Sequence, residues 1–465
     1  MQPETEKRET ANFWVFPTSS PGDSMMNKTL TCLSKQKLIS EKWKPLCELR
    51  LGMIFMNGRA DYENVISFLQ FHIKGHGHRV CVLNIGQDTL ESEFKIKILK
   101  YGAEYVYDRN SFVDSYEFLT ERLNRWITIE RLLHSPVITS RTAGKSVATI
   151  CMLRKVIEAA FYSQNNILIL GERGVGKEQV ANIIHELDTR REKGDLVILD
   201  CTTLKKELSG SELFGHERGS FTGADYARDG AIALAHKGSF FIDEITELPP
   251  NLQAEFLRVV QEGTYKKVGS NIWRHSQFRL IAATNRDMKT TVEKGEFRSD
   301  LFDRIATTVI EIPGLNERKE DIPLIIDFYL KKIFNGHLPV IEKEVYDVLC
   351  NREYRGNIRE LKNEVHNICM RYSGKGPVTL GDLSNTIFDL TLLNDKVRWY
   401  EKTELFELIN QAIDEGCELK KIEDIIQSIA TKITLQRVNR NKDASRILGK
   451  SERWIQLQKI KEKNG

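Results

Sequence analysis

The segment NILILGERGVGKEQVANIIHEL at residues 166–187 constrains the fold more tightly than any other part of the chain. An apolar run leads into a glycine-rich turn and then a helical pattern, with Gly171, Gly176 and Lys177 at the spacing G-x-x-x-x-G-K. Such a turn lets backbone N–H groups surround phosphate oxygens at the start of a helix, and the lysine reaches the terminal phosphates. We therefore predict an α/β fold with a nucleotide site formed by Gly171, Glu172, Arg173, Gly174, Val175, Gly176, Lys177 and Glu178.

Two further apolar runs end in polar residues that suit the same site. GSFFIDEI ends near Asp243 and Glu244, and FRLIAATN ends at Asn285, which is placed to sense a terminal phosphate. Carboxylates at the end of a buried strand beside a phosphate loop fit Mg²⁺ binding by Asp243 and polarisation of the attacking water by Glu244. Glu178 replaces the usual Ser or Thr ligand, so the metal depends on Asp243 and Glu244. The predicted cofactors are ATP and Mg²⁺.

The composition argues against several other classes of protein. No apolar run approaches the roughly 20 residues of a membrane span, so we expect no membrane association. The eight cysteines are scattered without a CxxC pair, which gives no indication of a zinc site or disulfide framework. The charged start of the chain lacks a secretory apolar core, and we expect a cytoplasmic protein.

The order of apolar and helical stretches predicts five segments. They are a flexible arm at 1–48, a small α/β domain with a linker helix at 49–135, a larger α/β block at 136–312, a helical segment at 313–385 and a helical C-terminal domain at 386–465. Apolar runs alternating with helical patterns favour parallel sheets in both α/β segments.

The segment GHERGSFTGADYARDG at residues 215–230 is an unusual loop. Phe221 and Thr222 stand between Gly219 and Gly223 in charged surroundings. Glycines permit backbone conformations that other residues avoid. The residues alone leave two readings open: a turn whose Phe folds back into the domain, or a surface that meets a partner.

Six motifs between residues 136 and 375 occur together in one order: GERGVGKE, SELFGHERGSFTGA, FFIDEI, AATNRD, FRSDLFDRI and YRGNIRELKN. This set resembles the AAA+ domain of bacterial enhancer-binding proteins, the sigma-54-dependent transcriptional activators. The resemblance implies a AAA+ P-loop fold with a parallel sheet and a helical lid, ATP hydrolysis in a hexameric ring, and remodelling of sigma-54 RNA polymerase. It assigns Phe221 and Thr222 to the sigma-54 contact, Arg298 and Arg304 to arginine fingers acting on a neighbouring subunit, and Arg359 to the second nucleotide sensor.

The sequence departs from this family at Asp200 in LVILDCTTL. Family members generally carry an Asn there, whose amide holds the catalytic Glu away from water. A carboxylate cannot donate a hydrogen bond to ionised Glu244. Asp200 therefore stays a catalytic candidate with two alternatives: the switch works differently here, or Asp200 faces elsewhere.

The C-terminal stretch NRNKDASRILGKSERWIQLQKIKEK predicts two helices joined by a turn, and it resembles a Fis-type helix-turn-helix. The resemblance implies binding to double-stranded upstream DNA, with the second helix in the major groove. The candidates are Glu452, Arg453 and Gln456 for base contacts and Lys450 and Lys459 for phosphates. Taken alone, the pattern would equally fit a basic amphipathic helix with a solvated face.

The small domain at 49–135 resembles a degenerate receiver. LKYGAEYVYD is similar to a receiver's closing helix and strand, but LGMIFMNG is not followed by paired acids. VCVLNIG, taken as the middle strand, has Asn84 where a phosphoacceptor Asp would stand. We predict a domain that takes no phosphate and binds a small ligand or a partner.

Two alternatives to a promoter-opening activator remain at this point. One is a AAA+ protein-remodelling ATPase without a promoter role. The other is a DNA-binding regulator whose AAA+ block assembles but does not hydrolyse ATP.

Overall fold

The structure is a computed structural model that describes residues 11–18, 24–43, 50–112, 116–205, 207–384 and 417–437, with residues 408, 409, 412, 451 and 453. The chain divides into two compact units, residues 1–384 and 385–465. Within the described residues, no helix combines the length and apolarity that crossing a membrane requires.

The first domain is a parallel sheet with helices on its faces. Its elements are β1 (Ala11–Pro17), α1 (Ser24–Lys35), β2 (Leu38–Lys42), β3 (Leu51–Met56), α2 (Tyr62–Phe68), β4 (Arg79–Asn84), α3 (Ser92–Lys100), β5 (Tyr105–Asp108) and α4 (Glu117–Leu133). The strand order is β2-β1-β3-β4-β5, and every pair is parallel. This is the flavodoxin-like order of doubly wound sheets.

The predicted flexible arm is wrong over its described residues, because two strands and a helix of this sheet lie there. Phe13, Trp14 and Val15 are buried in β1. A Cβ at Gly52 would lie 2.1 Å from the Trp14 ring, so a glycine in β3 makes the room that this indole occupies. Local sequence does not predict this strand, because the burial of β1 depends on the space that Gly52 leaves in β3.

The middle strand of the first sheet is also not the one expected. β3 lies between β1 and β4, and Asn57 follows it, whereas Asn84 ends β4. The Asn84 side chain is buried, accepts from the Gly58 amide at 2.9 Å and donates to Asp108 at 3.0 Å. An amide therefore stands at the carboxyl end of both strands.

The core domain is a second parallel sheet with the order β14-β6-β13-β10-β7. Its elements are α5 (Pro136–Thr139), α6 (Val147–Tyr162), β6 (Ile167–Leu170), α7 (Lys177–Leu187), β7 (Leu196–Asp200), α8 (Ser209–Phe214), β8 (Gly215–His216), β9 (Arg228–Asp229), α9 (Ala231–Leu234), β10 (Ser239–Asp243), α10 (Pro250–Glu262), β11 (Thr264–Tyr265), β12 (Arg274–His275), β13 (Arg279–Thr284), α11 (Met288–Glu293), α12 (Ser299–Ile305) and β14 (Thr308–Glu311). β6, β10 and β13 are nearly continuous buried runs, as a sheet covered on both faces requires.

A helical lid follows the core domain. It contains α13 (Ile322–Ile333), α14 (Lys343–Asn351) and α15 (Asn357–Arg371). Asp321, fully buried just before α13, accepts hydrogen bonds from the amides of Lys145 and Ser146 and from the Thr149 hydroxyl at 2.6 to 2.7 Å. The carboxylate thereby caps the start of α6 and ties the lid to the core. In the second unit, α16 covers Leu419–Arg437.

Buried arginines join the first domain to the core domain. Arg79 of β4, with a side chain 6% exposed, forms ion pairs at 2.8 Å with Glu104 and with Glu158 of α6. Arg154 of α6 donates to the Gly77 carbonyl at 2.8 Å and pairs with Glu130 of α4 at 2.6 Å. These contacts of Arg79 and Arg154 form a polar seam between the two domains, in which the arginine side chains are buried.

Candidate nucleotide site and partner loop

The glycine-rich turn leads directly from β6 into α7, as the sequence predicts. Gly174 and Gly176 have φ values of +78° and +102°, a region that favours glycine. A Cβ at Gly174 would lie 2.2 Å from the Gly356 carbonyl oxygen, so the lid approaches the turn too closely for a larger residue. The amide groups of the turn and the first turn of α7 form a surface suited to phosphate.

Lys177 and Glu244 meet in this site. The Lys177 ammonium lies 3.2 Å from the Glu244 carboxylate and donates to the Gly171 carbonyl at 3.1 Å. The other Glu244 oxygen accepts from the backbone N–H of Asn285 at 3.0 Å. Glu244 has a left-handed backbone with φ of +48°. The residues predicted from three separate strands are thus brought together at one edge of the sheet.

The neighbouring carboxylates of Asp243 and Glu244 fit a magnesium ion. Asp243 ends β10 and is in register with Asp200 at the end of β7. Burial raises the pKa of Asp243, with the negative charge of Glu244 adding to this effect and Lys177 opposing it. In the described part of the chain, no group of three or more ligand side chains is arranged for a metal. Two carboxylates, with the remaining positions taken by water and phosphate, are what Mg²⁺ commonly uses.

Asp200 has partners other than Glu244. Its carboxylate accepts from the Thr202 amide at 2.8 Å and the Thr202 hydroxyl at 2.7 Å, which caps the 3₁₀ turn at Cys201–Thr203. Of the two alternatives raised by the sequence, this geometry favours the one in which Asp200 faces elsewhere.

The start of α15 touches the phosphate-binding turn. The Arg359 amide donates to the Gly174 carbonyl at 3.2 Å, which places this residue beside the site. Sequence reasoning missed Asn357, a fully buried residue with φ of +52°. Its side chain donates to Glu172 at 2.9 Å and to the Arg173 carbonyl at 3.1 Å, and it accepts from the Leu315 amide at 2.7 Å. The motif YRGNIREL holds the signal, since Asn, here the first residue of α15, adopts a left-handed conformation more readily than most residues.

Arg298 and Arg304 lie at the two ends of α12, and both are exposed. The Arg298 guanidinium makes a two-point contact with Asp300, with distances of 3.0 and 2.7 Å. The side chain is 48% exposed, so this pair is worth little to stability and can open readily.

The loop at 219–224 is a compact turn at the tip of the β8–β9 hairpin. The Gly219 amide donates to the Ala224 carbonyl at 2.8 Å, and the Ala224 amide donates to the Phe221 carbonyl at 3.0 Å. Phe221 is half-buried, with its ring 5.0 Å from the His216 ring in an edge-to-face contact, while Thr222 is exposed. Phe221 therefore folds partly back onto His216, whereas Thr222 is exposed to solvent.

A second hairpin, which sequence reasoning missed, supports this loop. β11 pairs with β12, and the Val268 amide and carbonyl bond to Gly215 and Glu217 at 2.9 and 3.0 Å. A Cβ at Gly269 would lie 2.6 Å from that of Ser220. The segment KKVGSN at 266–271 predicts a turn, but it does not indicate that this turn packs against the loop at 219–224.

Of the five predicted DNA-contact residues, the structure describes Arg453, which is exposed. The other four lie outside the described residues: Lys450, Glu452, Gln456 and Lys459.

The phosphate turn, the acidic strand end and the lid against them define a P-loop nucleotide-binding domain of the AAA+ class. Comparison with protein families agrees: residues 143–311 match the sigma-54 interaction domain, and residues 316–395 match the AAA+ ATPase lid domain. These two matches confirm, for residues 143–311 and 316–395, the resemblance to the AAA+ domain of sigma-54-dependent activators that the motifs indicate.

Several curated proteins are similar over this region. The Nif-specific regulatory protein of Bradyrhizobium diazoefficiens is 44% identical, over 47% of this chain and 38% of its own length. The transcriptional regulatory protein ZraR of Escherichia coli is 37% identical, over 61% of this chain and 65% of its own length. The Nif-specific regulatory protein of Herbaspirillum seropedicae is 42% identical, over 64% of this chain and 56% of its own length. The chain thus matches less than two thirds of each of these relatives.

Proposed function

We propose that this protein is a sigma-54-dependent transcriptional activator that hydrolyses ATP to remodel sigma-54 RNA polymerase and open a promoter. The observation that carries the proposal is the presence, in one domain, of the Lys177–Glu244 phosphate site and the loop at 219–224. A regulator that assembles without hydrolysing ATP would not need the catalytic Glu244. An ATPase without a promoter role would not need the loop at 219–224.

The contacts of Glu244 suggest how nucleotide controls the site. Lys177 is paired with Glu244, so a triphosphate that draws the ammonium to its own oxygens releases the carboxylate. Glu244, still oriented by the Asn285 amide, can then accept a proton from water. Mg²⁺, held by Asp243 and Glu244, would neutralise phosphate charge. Arg298, after leaving Asp300, and Arg304 are exposed for contact with the nucleotide of a neighbouring protomer in a hexameric ring.

The experiment measures ATP hydrolysis and open-complex formation on a sigma-54 promoter with the same protein preparations. We expect Glu244→Gln to lose both activities. Thr222→Ala should keep hydrolysis and lose promoter opening, since Thr222 is exposed and is not one of the phosphate-site residues. Promoter opening that is indifferent to Thr222→Ala would refute the activator and favour the remodelling ATPase. Unchanged hydrolysis in Glu244→Gln would refute the catalytic assignment.

The remaining parts of the proposal concern the two ends of the chain. We infer that residues 386–465 carry a Fis-type helix-turn-helix that binds upstream DNA, on the support of the sequence pattern and its nine basic residues against three acids at 436–463. Gel-shift titration of full-length protein tests it: Arg453→Ala should weaken binding to upstream DNA, and equal affinity would count against the assignment. Such a protein would act in the cytoplasm.

We also infer that the first domain is a receiver-like domain that takes no phosphate. Its strand order and the asparagines after β3 and β4 support this inference. Incubation with a small phosphodonor such as acetyl phosphate should leave the mass of the protein unchanged. A stable addition of one phosphate within residues 11–135 would contradict it.

A further inference from the structure

A cavity of about 980 Å³ lies where the first domain, the linker helix α4, the core and the lid meet. The starts of β1 and β3 form one wall, α4 and α6 the second, and α13 of the lid the third. It lies apart from the phosphate-binding turn, none of whose residues lines it. Its volume is at the upper end of the range for small-molecule sites.

The lining of this cavity combines apolar and cationic side chains. Ile127 and Leu133 of α4 and Phe328 of α13 supply apolar surface. The basic residues Arg50, Arg131, Lys145 and Lys331 outnumber the acidic residues Glu130 and Asp327. A ligand that fits such a surface has a negative group and an apolar body.

Both acidic residues already have partners. Glu130 is paired with Arg154 at 2.6 Å, and Asp327 accepts from the Tyr346 hydroxyl at 2.5 Å. Glu130 acts on both Arg154 and Arg50, and Asp327 keeps its charge because its partner is a neutral hydroxyl. Arg50, Lys145 and Lys331 still outnumber these two carboxylates, so the lining is basic on balance.

Arg50 is the basic residue that would gain most from an anion. Its Nη1 atom is buried and has no hydrogen-bond partner among the described residues. Burial, together with the positive charge of Arg154, lowers the pKa of Arg50. Nη1 itself is closed to the cavity, but Arg50 lines it, so an anion there would offset the repulsion from Arg154 and accept a charge-assisted bond from the accessible part of the guanidinium.

We propose that this cavity binds a small organic anion whose charged group meets Arg50 and whose apolar body packs between α4 and α13. Since the walls come from four parts of the chain, a bound anion stabilises this arrangement of first domain, core and lid over any other. The site would thus be a regulatory site, and it does not depend on the proposed promoter activity.

The test uses three probes that share one apolar body and differ in charge: 4-phenylbutyrate, 4-phenylbutanol and 4-phenylbutylamine. Each is titrated into the full-length protein by calorimetry. We expect 4-phenylbutyrate to bind with a Kd below about 1 mM, and the neutral and cationic probes to bind at least roughly tenfold more weakly. Failure of 4-phenylbutyrate to bind in this range, or equal binding of the amine, would overturn the proposal.

Variants then locate the site. Arg50→Gln should weaken 4-phenylbutyrate binding about tenfold or more, as expected for loss of a charge-assisted bond. Lys331→Gln, at an exposed position on α13 where folding is not at risk, should weaken it several-fold. Arg59→Gln is the matched control, since Arg59 is 63% exposed, pairs with Glu91 and does not line the cavity. Equal affinity in the wild type, Arg50→Gln and Lys331→Gln would place the probe elsewhere and refute the assignment.

Discussion

Replacing Asn357 by alanine should weaken both nucleotide binding and the fold of the lid. The substitution removes the hydrogen bond that satisfies the buried Leu315 amide, worth about 1 to 3 kcal/mol when left unmade. It also removes the bonds to Glu172 and Arg173 and puts alanine at φ of +52°, at a further cost of about 1 to 2 kcal/mol. Together these terms predict a loss of about 2 to 5 kcal/mol in the free energy of unfolding.

The effect on nucleotide binding comes from only two of those contacts. The bonds to Glu172 and Arg173 hold the phosphate-binding turn against α15, so their loss lets the turn separate from the lid. A penalty of about 1.4 kcal/mol corresponds to tenfold in affinity. We expect a non-hydrolysable ATP analogue to bind Asn357→Ala roughly tenfold more weakly, measured by titration calorimetry, with stability followed by urea unfolding.

Two further variants separate these contributions. Asn357→Asp keeps the acceptor for Leu315 but loses the donor and sets a second carboxylate beside Glu172. It should lose at least as much nucleotide affinity as Asn357→Ala, because the new carboxylate would lie within about hydrogen-bonding distance of Glu172 and repel it. Asn316→Ala is the control in the same lid, since Asn316 bonds the backbone of Tyr354 but not the turn. Wild-type affinity and stability in Asn357→Ala would refute the reasoning.

Three other perturbations test the core and the hairpins. Asp188→Asn should cost about 3 to 5 kcal/mol, read from urea midpoints, because it leaves the Arg279 side chain, 1% exposed, without its ion pair. Burial alone would raise the pKa of Asp188, but the bonds from Arg190 and the charge of Arg279 lower it. The wild type should therefore keep this stability above an ordinary Asp pKa of about 3.9 and lose it as the pH falls through the lowered value. Asp188→Asn should lack that part of the acid transition, and identical acid profiles would be contrary evidence. Gly269→Ala, which presses on Ser220 at φ of +79°, should impair promoter opening but spare ATP hydrolysis. Gly295→Ala, also at positive φ but with open space around it, is its control.

The sequence was most informative where a local motif and its function coincide. Gly171 to Lys177, Asp243 and Glu244 each lie in a strand-and-turn pattern that can be read without knowing the neighbours, and the structure brings them together. The parallel core sheet could also be predicted, because continuous apolar strands are typical of a sheet covered on both faces.

The sequence was least informative where a contact joins distant segments. The pairing of Gly269 with Ser220 and the attachment of Asn357 to Glu172 depend on chain geometry across about 50 and 185 positions, and no periodicity reports them. β1 was missed for a different reason: its burial depends on the space left by Gly52, in another strand. Local sequence also does not give the order of strands in the first sheet. That order makes β3 the middle strand, so Asn57 and not Asn84 stands at its carboxyl end.

The seam of Arg79 and Arg154 limits what kind of signal can release the first domain. Separating it from the core breaks the Arg79–Glu158 ion pair and the hydrogen bond from Arg154 to the Gly77 carbonyl, while Arg79 keeps its pair with Glu104. The buried guanidinium groups must regain water when these contacts break, whereas a change in one solvated surface charge contributes only about 0 to 1 kcal/mol. An input that operates this junction must therefore discriminate between the joined and parted arrangements by at least the energy of these contacts.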